Sequence, residues 1–153
     1  MNTEVIHRGG AEDAEEMQRK LTEKIISAAL EVHTLLGPGL LESVYQAARL
    51  HELDLRGLPC SSQAPVPVRY KNVQLQSSLR MDLLVAESVV VEIKAVDALA
   101  PIHSARLLTY LRLTGPSVGL LLNFNTVHLR QDIKRVVNTV QPLRTSAPSV
   151  PLR

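Results

Sequence analysis

Two strongly apolar runs, 79–85 (LRMDLLV) and 89–96 (VVVEIKAV), are separated only by Ala86, Glu87 and Ser88, yet Asp82, Glu92 and Lys94 sit inside them. Runs of branched apolar residues bounded by a short polar turn read as largely buried strands. A charge left unpaired there costs several kcal/mol, about what one core side chain contributes. The three must therefore pair with one another, bind a metal, or do both. Side chains alternate along a strand, so Glu92 and Lys94 share one face while Val91, Ile93 and Ala95 share the other. Folded back as an antiparallel hairpin through the short loop, the runs pair Val85 with Val89 and hence Asp82 with Glu92, with Cβ atoms roughly 4.5–5.5 Å apart. Two carboxylates that close repel unless a proton or a divalent cation lies between them.

Hard-cation chemistry suits this arrangement, because Mg²⁺ is usually bound by one or two carboxylates and keeps several waters. A lysine on the same face can orient an attacking water or neutralise charge developing on a phosphate. The plainer alternative is a buried Glu–Lys or Asp–Lys ion pair without catalytic role.

The length suits one domain with a real core. Tryptophan is absent and Phe124 is the single phenylalanine, so Leu, Val, Ile and Ala must build that core. One cysteine, Cys60, excludes an intrachain disulfide framework and a cysteine-based zinc site. No apolar run reaches membrane-spanning length and no signal-peptide pattern is seen, so a cytoplasmic protein is expected. A net charge of +2 implies that any nucleic-acid surface is a local patch.

Along the chain, residues 1–15 read as a flexible arm, 16–140 as one domain and 141–153 as a disordered tail. Leu21, Ile25, Ile26, Ala29, Leu30 and Val32 recur at helical spacing, giving an amphipathic helix that Gly37-Pro38-Gly39 stops. A second helix is predicted over 38–56, ending at Gly57. Strands are expected at 66–70 and 73–75, joined by the turn Lys71-Asn72, and then in the two apolar runs. A helix over 102–113, a buried strand at 118–122 and a closing helix at 132–140 complete the order. The pattern is an α/β sandwich, a mixed sheet flanked by helices.

On the second helix Glu42, Tyr45 and Arg49 form one stripe, which reads as solvated, opposite Leu41, Val44, Ala48 and Leu55. His103, Arg106 and Tyr110 form a similar stripe on the third. There Arg106 offers a phosphate-shaped donor fork beside a ring hydroxyl.

These residues carry a resemblance. Gly39-Leu40-Leu41-Glu42-Ser43-Val44-Tyr45 matches the pattern that names the GxxExxY proteins of the PD-(D/E)xK nuclease superfamily. The segments around Asp82, Glu92 and Lys94, His103 to Leu111 and Gly119 to Phe124 are similar to that family in the same order. The resemblance implies a restriction-endonuclease-like core of order αβββαβ with an extra N-terminal helix, on the lambda-exonuclease/RecB-like branch. It implies that Asp82 and Glu92 ligate Mg²⁺ (or Mn²⁺), that Ile93 adds its backbone carbonyl, that Glu42 supports the site, and that Lys94 assists the attacking water. Substrate contacts are then expected from Tyr45, Arg49, His103, Arg106 and Tyr110.

Two positions depart from the pattern. Arg106 stands where glutamine is expected four residues before the helix tyrosine, and an arginine cannot accept a hydrogen bond. Leu79 stands where a glycine often precedes the strand aspartate.

The favoured reading is a metal-dependent nuclease acting on nucleic acid, DNA ahead of RNA, with room for a homodimer. A catalytically inactive binding module of the same fold is the alternative, and it predicts an Arg106 salt bridge into the carboxylates. A small-phosphate-ester hydrolase is a third reading. A nuclease groove would draw its cations from Arg49, Arg69, Lys71, Arg80, Arg112 and Lys134.

Overall fold

A computed structural model describes residues 3–139. Helix α1 (Thr3–Leu36) and helix α2 (Glu42–Leu55) lead into strands β1 (Cys60–Pro65), β2 (Val68–Tyr70), β3 (Val73–Leu75), β4 (Arg80–Val85) and β5 (Val89–Lys94). Helix α3 (Pro101–Thr114), β6 (Val118–Asn123), a 3-10 turn (Leu129–Asp132) and β7 (Ile133–Val137) follow. The main sheet runs β1-β4-β5-β6-β7 and is antiparallel except for β5–β6. A parallel pair needs a crossover, which α3 supplies. β2 and β3 form a separate two-stranded hairpin. Stripped of α1, that hairpin and β7, the order is αβββαβ, as the resemblance implies. The first of those strands, however, is β1, over residues the sequence reads as a loop between Pro59 and Pro65, and the strands expected at 66–70 and 73–75 lie outside the main sheet. Among the described residues no helix is long and apolar enough to cross a membrane.

Both faces of the sheet are covered, which is why β5 and β6 are apolar almost throughout. Val89, Val91 and Ile93 join Ile25, Tyr45, Leu53 and Phe124 in the core under α1 and α2. Val90 and Leu121 join Leu107, Tyr110 and Leu111 under α3. Gly119 sets how closely α3 can approach. A Cβ there would lie 2.8 Å from Leu107 Cδ1, inside contact distance.

Four local expectations need correction. The helix starts at Thr3 rather than after an arm ending at residue 15, and it runs through Gly9-Gly10. The expected disordered tail lies outside the described residues. Helix α2 begins at Glu42, not at Pro38, because Gly37 and Gly39 take φ of +71° and +94°, which a helix cannot accommodate. The segment expected as a closing helix is β7, whose alternating side chains serve both cores: Ile133 packs toward α1 and α2, Val136 toward α3. The open edge of β6 captured it, from Val118↔Val137 to Leu122↔Ile133.

The fourth correction concerns α2, whose polar stripe faces inward. Tyr45, Arg49 and Leu53 are buried, whereas Leu41, Val44 and Leu55 are exposed. Tyr45 tolerates burial because its hydroxyl donates to the Gly37 carbonyl at 2.6 Å and accepts from the Leu40 amide at 3.1 Å. Its ring stacks on Phe124 at 4.7 Å. Arg49 has no such compensation. It is 0% exposed and none of its guanidinium nitrogens has a hydrogen-bond partner, although the group lies 5.9 Å from the Phe124 ring centroid. Burial pushes its pKa down to about 9.

Arg49→Met keeps the aliphatic stem and removes the charge, so it should raise the free energy of unfolding near neutral pH by about 1–4 kcal/mol. The folded protein holds this proton less tightly than the unfolded chain, so the penalty is complete below pH about 9 and shrinks above it. Urea denaturation at neutral pH and above pH about 9 checks both points. A variant less stable than wild type under both conditions would mean that Arg49 stabilises the fold.

Candidate active site

The three-residue loop sets the β4–β5 register as anticipated: Val85↔Val89, Leu84↔Val90 and Leu83↔Val91. One step further, where Asp82 and Glu92 come opposite each other, main-chain pairing gives way to side chains. The Asp82 amide donates to Glu92 Oε1 at 3.2 Å, and the Ile93 amide donates to Asp82 Oδ2 at 2.8 Å. Each carboxylate thus accepts a main-chain proton from the opposite strand. The alternation of β4 slips at the same place, since Met81 packs under α3 together with Leu84 while Leu83 and Val85 face the other core. Opposite, Gln63 of β1 takes a φ of +54° and drops out of the ladder between Ser62↔Leu83 and Ala64↔Met81.

The electrostatics follow from burial. Glu92 is only 6% exposed. Desolvation, and then the neighbouring Asp82 carboxylate, push its pKa up to about 8, with the Asp82 amide and Lys94 pulling the other way. Glu42, at the first turn of α2, is also raised by burial; Lys94 opposes the shift and Asp82 adds to it. Its Oε1 accepts from Gln46 Nε2 at 3.3 Å. Tyr110, from α3, is raised by burial and then by Glu92, with a further push from Asp82. Asp82 thus acts on Glu42, Glu92 and Tyr110, and Lys94 acts on Glu42 and Glu92.

His103 and Arg106 form the rim. His103 Nδ1 accepts from the Ala100 amide at 2.9 Å, capping α3 and leaving Nε2 as the ring's donor. Its pKa is lowered by partial burial and then by Lys94, Arg106 and Lys134. Arg106 is exposed. Among the described residues the ion pairs are Arg19–Glu16 and Arg56–Glu52, and neither involves Arg106 or Lys94. Tyr45 and Arg49 do not join this group, being buried beneath the opposite face of the sheet around Phe124.

One structural residue escaped the sequence reading. Asn123 is fully buried; its Oδ1 accepts from the Val96 amide at 3.0 Å and the Asn125 amide at 3.2 Å, and its Nδ2 donates to the Val96 carbonyl at 2.9 Å. With the Phe124 amide donating to the Lys94 carbonyl at 2.8 Å, it clamps the chain as it leaves β5 and fixes Lys94. A lone polar residue ending the apolar run VGLLLN was the available signal.

Among the described residues no three His, Cys, Asp or Glu side chains converge on one point. A metal here has two carboxylates to bind, Asp82 and Glu92. The carbonyl of Ile93 lies on the same strand edge as the amide that reaches Asp82. Two carboxylates, one carbonyl and water form an all-oxygen set that fits a hard cation such as Mg²⁺. Burial and then the Asp82 carboxylate raise Glu92, and a bound cation would offset both.

Without metal, the burial of Glu92 beside Asp82 sets a pH dependence. Between the ordinary glutamate value and about 8, folded Glu92 keeps a proton that the unfolded chain releases, so stability falls as pH rises through that range. With chelator present, Glu92→Gln should be more stable than wild type at the upper end of the range, and the difference should close at the lower end. A difference independent of pH in denaturant melts would contradict the assignment.

The family model of the PD-(D/E)XK nuclease superfamily matches residues 19–136, a span that contains every carboxylate and lysine of this site. No curated protein and no solved structure matches the chain. The matched span covers most of the sequence, and the mixed five-stranded sheet with its flanking helices agrees with that fold. The chain belongs to the PD-(D/E)XK nuclease superfamily.

Proposed function

We propose that this chain is a divalent-metal-dependent nuclease that hydrolyses phosphodiester bonds, in DNA ahead of RNA, and that within the superfamily it belongs with the GxxExxY proteins on the lambda-exonuclease/RecB-like branch. The observation that carries the reading is the crossed pair of hydrogen bonds at the parting of β4 and β5, which holds Asp82 and Glu92 together with Lys94 beside them. Asp82, Glu92 and the Ile93 carbonyl would hold Mg²⁺ or Mn²⁺, with Glu42 supporting them from α2. A bound ion supplies Lewis-acid stabilisation of the charge that develops on the phosphate.

The remaining roles belong to the chain itself. Lys94 makes no ion pair among the described residues. Its ammonium is free to orient the attacking water and to face negative charge on phosphorus. The Arg106 fork, exposed on α3, suits two phosphate oxygens, and Tyr110 and His103 Nε2 add single donors beside it. Tyr45 and Arg49 take no part in binding substrate in this reading, since both are fully buried around Phe124 under the opposite face of the sheet.

The inactive-module alternative requires Arg106 to neutralise the carboxylates. Arg106 pairs with none of them, which supports the nuclease.

Cleavage of single- and double-stranded DNA and RNA in Mg²⁺ or Mn²⁺ tests the reading. Asp82→Asn, Glu92→Gln and Lys94→Ala should each slow cleavage by about 10²-fold or more. Glu87→Gln, in the exposed β4–β5 turn, should leave it unchanged. Wild-type rates in folded Asp82→Asn would overturn the assignment.

A further inference from the structure

The β2–β3 hairpin stands apart from the main sheet, and nothing in the proposed chemistry uses it. It extends from the end of the β1–β4 ladder that carries Asp82. Pro65 pairs with Arg80, the Val66 amide donates to the Leu79 carbonyl at 2.9 Å, and the chain then turns out through Val68↔Leu75 to the Lys71-Asn72 tip. Both tip residues have positive φ, +48° and +68°, the tight-turn geometry that suits a two-residue hairpin loop.

Residues directly opposite each other share a face. Val68, Tyr70, Val73 and Leu75 therefore form one apolar face, while Arg69 and Gln74 form the other. Tyr70 is 59% exposed, Val73 57% and Leu75 42%. A two-stranded hairpin that leaves its apolar face in water is marginal by itself.

Charge indicates what would cover it. Residues 55–81 contain Arg56, Arg69, Lys71 and Arg80 and no acidic residue. Three of these cations lie on the hairpin or at its base, and Lys71 Nζ sits 5.3 Å from the Tyr70 ring centroid. An exposed ring with Lys71 over it, on a segment that carries further cations and no carboxylate, suits a polyanion that has aromatic faces to offer. Duplex bases hide those faces, whereas an unpaired strand presents them.

We propose that the β2–β3 hairpin binds an unpaired nucleic-acid strand, with Tyr70 stacked on a base and Lys71 against the adjoining phosphate, and leads that strand to Asp82 and Glu92. Arg69, held at the tip from the other face by donating to the Asn72 carbonyl at 3.4 Å, adds charge there. The inference rests on the nuclease reading of the site for its second half only. Val73, opposite Tyr70, is separated from Asp82 by at most about 30 Å of extended chain. A single strand a few nucleotides long covers such a distance.

The test is fluorescence anisotropy with labelled oligothymidylate and with a labelled duplex, in chelator so that cleavage cannot contribute. Tyr70→Ala should weaken single-strand binding roughly tenfold while changing duplex binding by less than about twofold. Tyr70→Phe should restore it, because the ring rather than the hydroxyl does the stacking. Arg69→Ala with Lys71→Ala should flatten the salt dependence of single-strand binding by about 1.4 in log–log slope. Unchanged binding by Tyr70→Ala, or equal loss on both substrates, overturns the proposal. So does a dimer dispersed by Tyr70→Ala with single-strand affinity intact, which would make the hairpin a self-association surface. Tyr70-dependent binding without cleavage in Mg²⁺ would uphold the hairpin and remove the nuclease. Cleavage with Tyr70-independent binding would do the reverse.

Discussion

Where β4 and β5 stop pairing main chain to main chain, two carboxylates take over the bonding, and the rest of the site depends on that exchange. The Asp82 amide reaches Glu92 and the Ile93 amide reaches Asp82. Both amides lie just past Leu83↔Val91, the last main-chain pair of the two strands. The cost of placing two carboxylates face to face is offset by giving each a main-chain donor from the other strand. What remains uncompensated is the burial of Glu92 and then its repulsion by Asp82, both visible in the raised Glu92.

The remainder of the fold holds this junction in place. Leu83, Val85, Val89 and Val91 anchor the hairpin on the α1–α2 side, and Val90 and Leu121 anchor it on the α3 side. Gly119 admits Leu107 close to the sheet, which brings α3 and its Tyr110 into the field of Glu92 and Asp82. Asn123 ties the chain after Lys94 to the end of β6. Glu42 arrives from a different layer because positive-φ Gly37 and Gly39 turn the chain sharply between α1 and α2. Helix, sheet and loop thus each deliver one part of the same cluster.

Much of this is legible in the sequence. The β4–β5 register followed from period-two alternation and a three-residue loop, and it placed Asp82 against Glu92 without further information. The placing of Glu42 near Asp82 and Lys94 was not derivable that way, because nothing local links a helix N-terminus to a distant strand; only the family pattern raised it. The face of α2 was misread because polarity was taken as a guide to exposure. Tyr45 meets its hydroxyl's needs locally in the Gly37–Leu40 loop, and Arg49 follows it inward beside Phe124. β7 was misread because Ile133-Lys134-Arg135-Val136-Val137 suits a helix or a strand equally, and an open sheet edge decided the matter. The hairpin strands and their turn were found, but their separation from the main sheet depends on twist and pairing that composition does not encode.

The central claim is that Asp82 and Glu92 form a crowded pair suited to one hard cation. Calorimetric titration of Mn²⁺ and Mg²⁺ at pH about 7, repeated in buffers of different ionisation enthalpy, tests it most directly. With Glu92 pushed up to about 8, binding should displace close to one proton per ion. Both the binding and the proton release should vanish in Asp82→Asn and Glu92→Gln. Failure of the wild type to bind at millimolar metal, or binding that survives both substitutions without proton release, would contradict the account.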